Sequence, residues 1–271
     1  FNSDGKIMWE KYYEDFIFDP PQLSDDGKVI AVRVDGVLMA YSRWGRSILT
    51  YNSREKGTIF SIIRDYKLSR DGRYVVLVTE GEKETLLTSW HYKLILLKDG
   101  NVEWVKSSIW REFWMASISS NNAYITLVSH SERLGKKYSH VTLYTIDGKE
   151  LWSTGVEGFT VRIDVSSRGE VLLSADGCKF IRDGRVLWTK DDCGSASFTR
   201  DEDEIIAVRK RGYDLSDLDI VVFNRDGEPL WEYQGAYSYA VSENYYVLAG
   251  GEPGSEEVVL VSADGVVLQR I

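Results

Sequence analysis

Ionisable chemistry in this chain would have to start from a few clusters. His91, His130 and His140 fall within one stretch that also holds Arg133. Imidazoles titrate near neutrality and ligate metals, and a nearby guanidinium can hold an anion. Such a group suits a hydrolase or lyase acting on a carbohydrate or small anion. The spacing argues against a metal, because the cysteines are distant and no HExxH sequence occurs. Arg133, Lys136, Lys137 and Tyr138 form a basic, aromatic group in an acidic chain. Arg209, Lys210, Arg211 and Tyr213 form a second. Each reads either as a contact for an anionic partner or polysaccharide, or as a solvated loop. Asp214, Asp217 and Asp219 loosely resemble a calcium loop but miss the EF-hand spacing. Trp90, beside His91, is the aromatic best placed to touch a partner. Two aromatic groups, Trp110, Phe113 and Trp114, then Tyr233, Tyr237 and Tyr239, serve either core or partner. No GxSxG, Walker or dinucleotide-binding sequence occurs, so no catalytic residue, metal or cofactor is assigned.

The elements that would position these residues repeat. Five tryptophans each follow a glycine by four residues: Gly5/Trp9, Gly100/Trp104, Gly148/Trp152, Gly184/Trp188 and Gly227/Trp231. Aspartate precedes each glycine, and Gly265 repeats the turn with Gln269 in the tryptophan place. A second signal, apolar-x-Ser-x-(Asp/Asn)-Gly, has its anchors at Ser24, Ser69, Ser119, Ser166, Thr199 and Ser242. The anchors recur about every 43 residues, a propeller-blade spacing. Asp-Gly supplies the positive φ of tight hairpins, and the flanking Val, Ile, Leu and Tyr suit half-buried strands. No segment has a helical period. Each unit therefore reads as four strands, a to d, joined by short turns.

A lone four-stranded meander cannot cover both faces, whereas radial stacking can. The expectation is an all-β fold, a β-propeller forming one domain over residues 1–271. Units fall at 16–57, 58–108, 112–156, 159–191, 195–235 and 237–271. The first is irregular, with RWGRSIL replacing the Asp-Gly-Trp turn. Residues 1–13 look like a c–d piece alone. Six complete blades with an N-terminal closing strand is the preferred reading, and seven blades the alternative. Trp9, Trp104, Trp152, Trp188 and Trp231 are expected to wedge between neighbouring blades. The repeats, SxDGxxxAV followed by xLxxxDGxxLW, resemble the WD40-like and PQQ-like repeats of prokaryotic β-propellers. The resemblance implies the fold but no activity. Gly-His and Trp-Asp dipeptides are absent, and Asp-Gly stands where quinoprotein repeats carry Thr-Gly.

Net charge is -9, with both signs mixed along the chain, which disfavours nucleic acid as a partner. No apolar stretch approaches the roughly 20 residues that span a bilayer. The chain starts at Phe1, so removal of an upstream segment is expected, a lost membrane tether is one alternative for it, and an extracytoplasmic or membrane-tethered site is slightly favoured over a cytoplasmic one. Abundant charge with little Gln, Met or Cys leans towards a thermophile. Cys178 and Cys193 are assigned to one repeat, either bridged or as two reduced thiols. The a–b and c–d turns share one face and are short. The b–c connections at 81–90, 130–139, 210–219 and 250–257 look long, and long loops on a rigid scaffold carry binding. The preferred function is a non-enzymatic binding module whose b–c/d–a face engages a protein or polysaccharide. The propeller enzyme is the alternative.

Overall fold

A computed structural model of the chain describes residues 6–13, 20–34, 36–53, 58–83, 89–133, 135–212, 218–241, 245–250 and 257–271. These residues form six four-stranded antiparallel sheets and no helix. Sheet 1 holds β1 (Gln22–Leu23), β2 (Val29–Val34), β3 (Val37–Ser42) and β4 (Ser47–Asn52). Sheet 2 holds β5 (Thr58–Leu68), β6 (Tyr74–Lys83), β7 (Ser89–Lys98) and β8 (Asn101–Ser108). Sheet 3 holds β9 (Glu112–Ile118), β10 (Tyr124–Arg133), β11 (Lys136–Thr145) and β12 (Glu150–Glu157). Sheet 4 holds β13 (Arg162–Val165), β14 (Val171–Ala175), β15 (Gly177–Arg182) and β16 (Arg185–Lys190). Sheet 5 holds β17 (Cys193–Phe198), β18 (Glu204–Lys210), β19 (Leu218–Asn224) and β20 (Pro229–Gln234). Sheet 6 holds β21 (Ala236–Val241), β22 (Tyr245–Gly250), β23 (Glu257–Ser262) and β24 (Val267–Arg270). Within each sheet the strands lie in chain order, so every sheet is a meander. The chain divides into two compact units, Phe1–Gly135 with Ser139–Gly155, and Lys136–Tyr138 with Val156–Ile271.

The serine anchors explain the a–b turns. Ser24 is buried, donates from Oγ to Asp26 at 2.8 Å, and accepts the Val29 N–H at 3.0 Å. Ser69 and Asp71 repeat this lock, as do Ser119 with Asn121 and Thr199 with Asp201. Asp26 is exposed, and its carboxyl is held down to about 2, first by the side-chain hydrogen bond to Lys28 and then by the Lys28 and Ser24 bonds. The left-handed residue of the turn is Gly27 or Gly72 in sheets 1 and 2, but Glu202, at φ 63°, in sheet 5. Ser242 lies outside the described residues.

The tryptophans pack onto the c–d turn of the next sheet. Trp104 of sheet 2 donates from Nε1 to the Ile146 carbonyl of sheet 3 at 2.8 Å, and its ring covers Gly148. Trp188 of sheet 4 donates to the Arg225 carbonyl at 2.9 Å and covers Gly227. Trp231 of sheet 5 donates to the Ala263 carbonyl at 3.1 Å and covers Gly265. Trp9 does the same to sheet 1, through the Arg43 carbonyl at 3.0 Å and Gly45. A glycine suits the place under each ring, because the φ is positive and a Cβ would crowd the indole, most at Gly265, where it would come within 2.6 Å of Trp231. Trp152 is half-buried on β12. On β4, β8, β16, β20 and β24 a β-bulge immediately precedes the tryptophan position. The extra residue resets the alternation, leaving Ile48, Leu187, Leu230 and Leu268 exposed beside their ring positions.

Three expectations change. Residues 6–13 form no strand, so the N-terminal closing strand is absent from the described residues, although Trp9 still docks. Cys178 lies on β15 and Cys193 on β17, and the two are disulfide-bonded, with Cα atoms 5.3 Å apart. They therefore staple sheet 4 to sheet 5 rather than lying in one repeat, because residue 193 opens the next a strand. The b–c connections are not uniformly long. That of sheet 4 is a tight turn at Asp176, with Ala175 paired to Gly177. Much of 81–90 and 130–139 is strand, because β6, β7, β10 and β11 each run for 10 residues.

Candidate functional site

The most unusual chemistry of the first unit sits on two inner-strand bulges. Ile63 pairs with Thr79 and Asp65 with Val78, which leaves Arg64 as the extra residue of β5. Met115 pairs with Val128 and Phe113 with Ser129, which leaves Trp114 as the extra residue of β9. Bulges re-aim side chains, and here they aim two at each other. The Arg64 guanidinium lies 4.8 Å from the Trp114 ring centroid, a cation–π contact. Arg64 is ion-paired to Glu80 of β6, and its Nη2 is 3.0 Å from Oε1 of Glu112. Burial opposes the Arg64 charge, but Glu80 and Glu112 outweigh it and raise its pKa. Tyr92 of β7 joins the same face. Burial pushes its phenol up, with Glu80 and Glu112 adding to the shift. The guanidinium is thus already neutralised by two carboxylates, so the group fastens sheet 2 to sheet 3 more readily than it attracts a free anion.

The histidines do not converge. His130 is buried on β10 opposite Glu112, with its ring 5.3 Å from that of Trp114. Ser131, the next residue, leaves the other face of the sheet and places its Oγ 2.8 Å from Nε2 of His140. Burial, and then the positive charge of Arg111, hold the His140 imidazole below its ordinary value, favouring the neutral ring. His91 precedes Tyr92 on β7 and so leaves the face opposite the Arg64 group. His91, His130 and His140 are therefore not brought together: successive strand residues alternate faces, which closeness in sequence conceals. The Arg133 side chain lies outside the described residues. Among the described residues no three His, Cys, Asp or Glu side chains gather to hold a metal.

Within the two basic groups, Lys136, Lys137, Arg209 and Arg211 each have a partner. Nζ of Lys136 is 2.7 Å from Oε1 of Glu157, and Lys137 lies over the Phe159 ring at 5.3 Å. Tyr138 is half-buried in β11. Asp219 is 0% exposed and takes both Arg211, whose Nε is 2.6 Å away, and Arg209, at 3.2 Å. Arg209 also reaches Glu232 at 2.6 Å. The Asp219 carboxylate is consumed by these guanidiniums and by the Gly235 N–H, so it offers a calcium ion nothing. Tyr213, Asp214 and Asp217 lie outside the described residues.

Trp90 and Trp110 are two of the exposed aromatics of the first unit. Tyr92 pairs with Ser108, so Trp90, two residues before the one, and Trp110, two residues after the other, leave the same end of sheet 2. Trp90 is 44% exposed and Trp110 is 89% exposed, with Ile109 between Ser108 and Trp110 also exposed. The Ser108 hydroxyl accepts the N–H groups of Trp110 and Arg111, which fixes the chain that carries Trp110. Arg64, Glu80 and Glu112 escaped the sequence reading. Their signal was a charge inside an apolar strand, as in SIIRDYKL and VVLVTEGE.

No family model matches the chain, and no curated protein matches it. Solved structures do. The chain is similar to Porphyromonas gingivalis dipeptidyl peptidase 4, with TM-score 0.63 and 10% identity, over 98% of this chain and 46% of that one. It is similar to a structure of two prolyl endopeptidases, with TM-score 0.58 and 14% identity, over 93% of this chain and 42% of that one. It is also similar to the Dos1 propeller, with TM-score 0.57 and 9% identity, over 94% of this chain and 70% of that one. At these identities the likeness concerns the fold alone, and the neighbours are β-propeller proteins, enzymes among them.

Proposed function

We propose that this protein is a non-enzymatic binding module, with repeats of the WD40-like and PQQ-like kind, that engages a protein partner through the Trp90–Trp110 end of sheet 2. The observation that carries this reading is the exposure of both indoles at one end of a stiff sheet. Large exposed aromatics on a rigid support are the usual centres of interface energy. Trp110 is 89% exposed, so its removal leaves the core alone. The enzyme reading ranks second because its histidines leave different sheet faces. The peptidase likenesses add little to it, since more than half of each of those chains has no counterpart here. The Cys178–Cys193 bridge supports an oxidising, extracytoplasmic compartment.

The test is crosslinking of the full chain in lysates and polysaccharide arrays, with a Trp90→Ala/Trp110→Ala double variant alongside. The reading expects a protein partner whose affinity falls at least 100-fold in the double variant, with an unchanged melting temperature. Retention only on polysaccharide would replace the partner class. Turnover of a peptide or glycoside by the pure chain would overturn the reading.

A further inference from the structure

Four of the c–d turns are built alike. In sheets 1, 3, 5 and 6 the N–H of Gly45, Gly148, Gly227 and Gly265 bonds the carbonyl three residues back, on Ser42, Thr145, Asn224 and Ser262. The side-chain oxygens of those four residues accept the N–H that follows each glycine, on Arg46, Lys149, Glu228 and Val266. The residue before the glycine is Asp147, Asp226 or Asp264 in three of the turns, and Trp44 in sheet 1. An aspartate serves the turn, as Asp147 does by accepting the Thr145 hydroxyl. An indole has no acceptor and gives the turn no such bond. A residue that departs from the local rule of its own repeats marks a place kept for something other than folding.

Trp44 is presented outward on a firm support. It is 66% exposed, and the Arg43 guanidinium lies 5.0 Å from its ring centroid. Trp9 steadies the turn, donating to the Arg43 carbonyl and packing its ring on Gly45. Arg43 and Arg46 flank the indole, both exposed, and neither is ion-paired among the described residues. The acids of the adjoining a–b turn are already taken, Asp26 by Lys28 at 2.8 Å and Asp25 by Arg70 at 3.8 Å. The other five c–d turns each carry an aspartate before the glycine, so this is the one with positive charge and no carboxylate. Ile48, at the foot of the turn, and Ile7, two residues before Trp9, are exposed as well.

We propose that the Arg43–Trp44–Gly45–Arg46 turn is a contact for the surface of an anionic lipid bilayer, with the indole at headgroup depth and the two guanidiniums on lipid phosphates. A narrow turn offers no concavity for a small molecule. It is also far smaller than the area that a stable protein interface buries on each side. A bilayer surface needs no matching shape. Indoles favour its interfacial layer, guanidiniums pair with phosphates, and an anionic leaflet attracts local positive charge whatever the net charge of the chain. The turn lies at the a–b/c–d end of sheet 1, whereas Trp90 and Trp110 leave the other end of sheet 2, so this contact stands or falls independently of the partner reading.

The experiment floats the full chain with vesicles of equal parts phosphatidylglycerol and phosphatidylcholine, and with vesicles of phosphatidylcholine alone. Partition onto the anionic vesicles that weakens as salt rises is expected. Trp44→Asp installs the residue that three sister turns carry. It should keep the melting temperature and lower partition by at least about tenfold. Arg43→Gln/Arg46→Gln should lower it by at least about tenfold too. Trp90→Ala/Trp110→Ala should leave it unchanged. Lipid brominated near the headgroup should quench part of the tryptophan emission, and that part should vanish in Trp44→Phe. No flotation, equal flotation on both vesicles, or unchanged partition in the Trp44 and arginine variants would each overturn the proposal. Full competition by glycerophosphate at matched ionic strength would do so as well, because the turn would then bind a free phosphate.

Discussion

The junction of sheets 4 and 5 and the junction of sheets 1 and 2 use the same strand order but differ in turn and in completeness: Gly227 alone is left-handed in the c–d turn of sheet 5, whereas Asp99 and Gly100 both are in that of sheet 2. At the first, Trp188 stacks on Phe180 with centroids 5.5 Å apart, covers Gly227 and donates to the Arg225 carbonyl. A disulfide joins the two sheets, and Asp164 accepts the Phe198 N–H across the gap at 3.0 Å. At the second junction Leu49 replaces the ring and a cavity stays open. Polar clamps remain there: Gln22 bonds the Tyr66 carbonyl at 2.8 Å and the Leu68 N–H at 3.0 Å. The difference teaches that the inner strands can hold two sheets in register while the outer end is left unfilled. Filling that end depends on the residue at the ring position and on the turn that faces it: Gly227 lies under the Trp188 ring, and Gly100 lies against the Ile48 carbonyl.

The comparison breaks most directly by truncation. Trp188→Ala removes a wedged ring and should cost about 3–5 kcal/mol, as large aromatic-to-alanine changes in cores do. Leu49→Ala enlarges a space that is already open, so it should fall at the low end for leucine, about 2 kcal/mol. Denaturant unfolding of both variants measures the gap. Equal costs would mean that the two junctions are equally packed. Next comes the cross-link. The bridged cysteines are separated by 15 residues, and a loop of that length is worth about 3 kcal/mol in the chain-entropy account. A Cys178→Ala/Cys193→Ala variant should melt earlier by that equivalent, and reductant should do nothing further to it. The third prediction is a gain. Leu49→Trp should stabilise the chain by about 0.5–2 kcal/mol, the usual yield of filling a cavity. A loss of stability would show that Ile48 and Gly100 have closed the space that the ring needs.

Much of this contrast could be seen in the sequence. The Gly–Trp spacing marked the rings, and the missing tryptophan after RWGR marked the odd junction. What the spacing hid is that each ring belongs to the next glycine along the chain, since docking partners lie more than 30 residues apart. The all-β meander was legible because Asp-Gly turns and β-branched runs are local signals. Arg64 and Trp114 were not legible as a pair, because each is the extra residue of a bulge, and a bulge breaks the two-residue alternation by which faces are read. His130 and His140 looked adjacent for the same reason in reverse: one residue of offset puts them on opposite faces. The cysteine pair required the sheet boundary at residue 193, which no local signal marks.

The smallest expected effect lies on the rim of the open junction and separates two versions of the a–b turn. Asp26 in sheet 1 and Asn121 in sheet 3 make the same bonds, each accepting a serine hydroxyl and a backbone N–H. An amide therefore suffices for the turn, and the charge of Asp26 serves only its pairing with Lys28. That pairing and the turn bonds lower its pKa from 3.8 to about 2. A carboxyl depressed on folding lends stability above its unfolded value and loses it as protons arrive. The Asp26 contribution should thus be complete above pH 4 and fade between about 3.8 and 2. Asp26→Asn should keep the fold and flatten the acid limb of the melting curve only within that window. The effect is small, because the group is exposed and water screens it. The side-chain carboxyl carbon of Asp26, followed by NMR, should titrate with a midpoint near 2 rather than 3.8. A midpoint at the unperturbed value would mean that the turn does not hold Lys28 against Asp26, and the rim of the cavity would then carry a free cation able to select an anionic ligand.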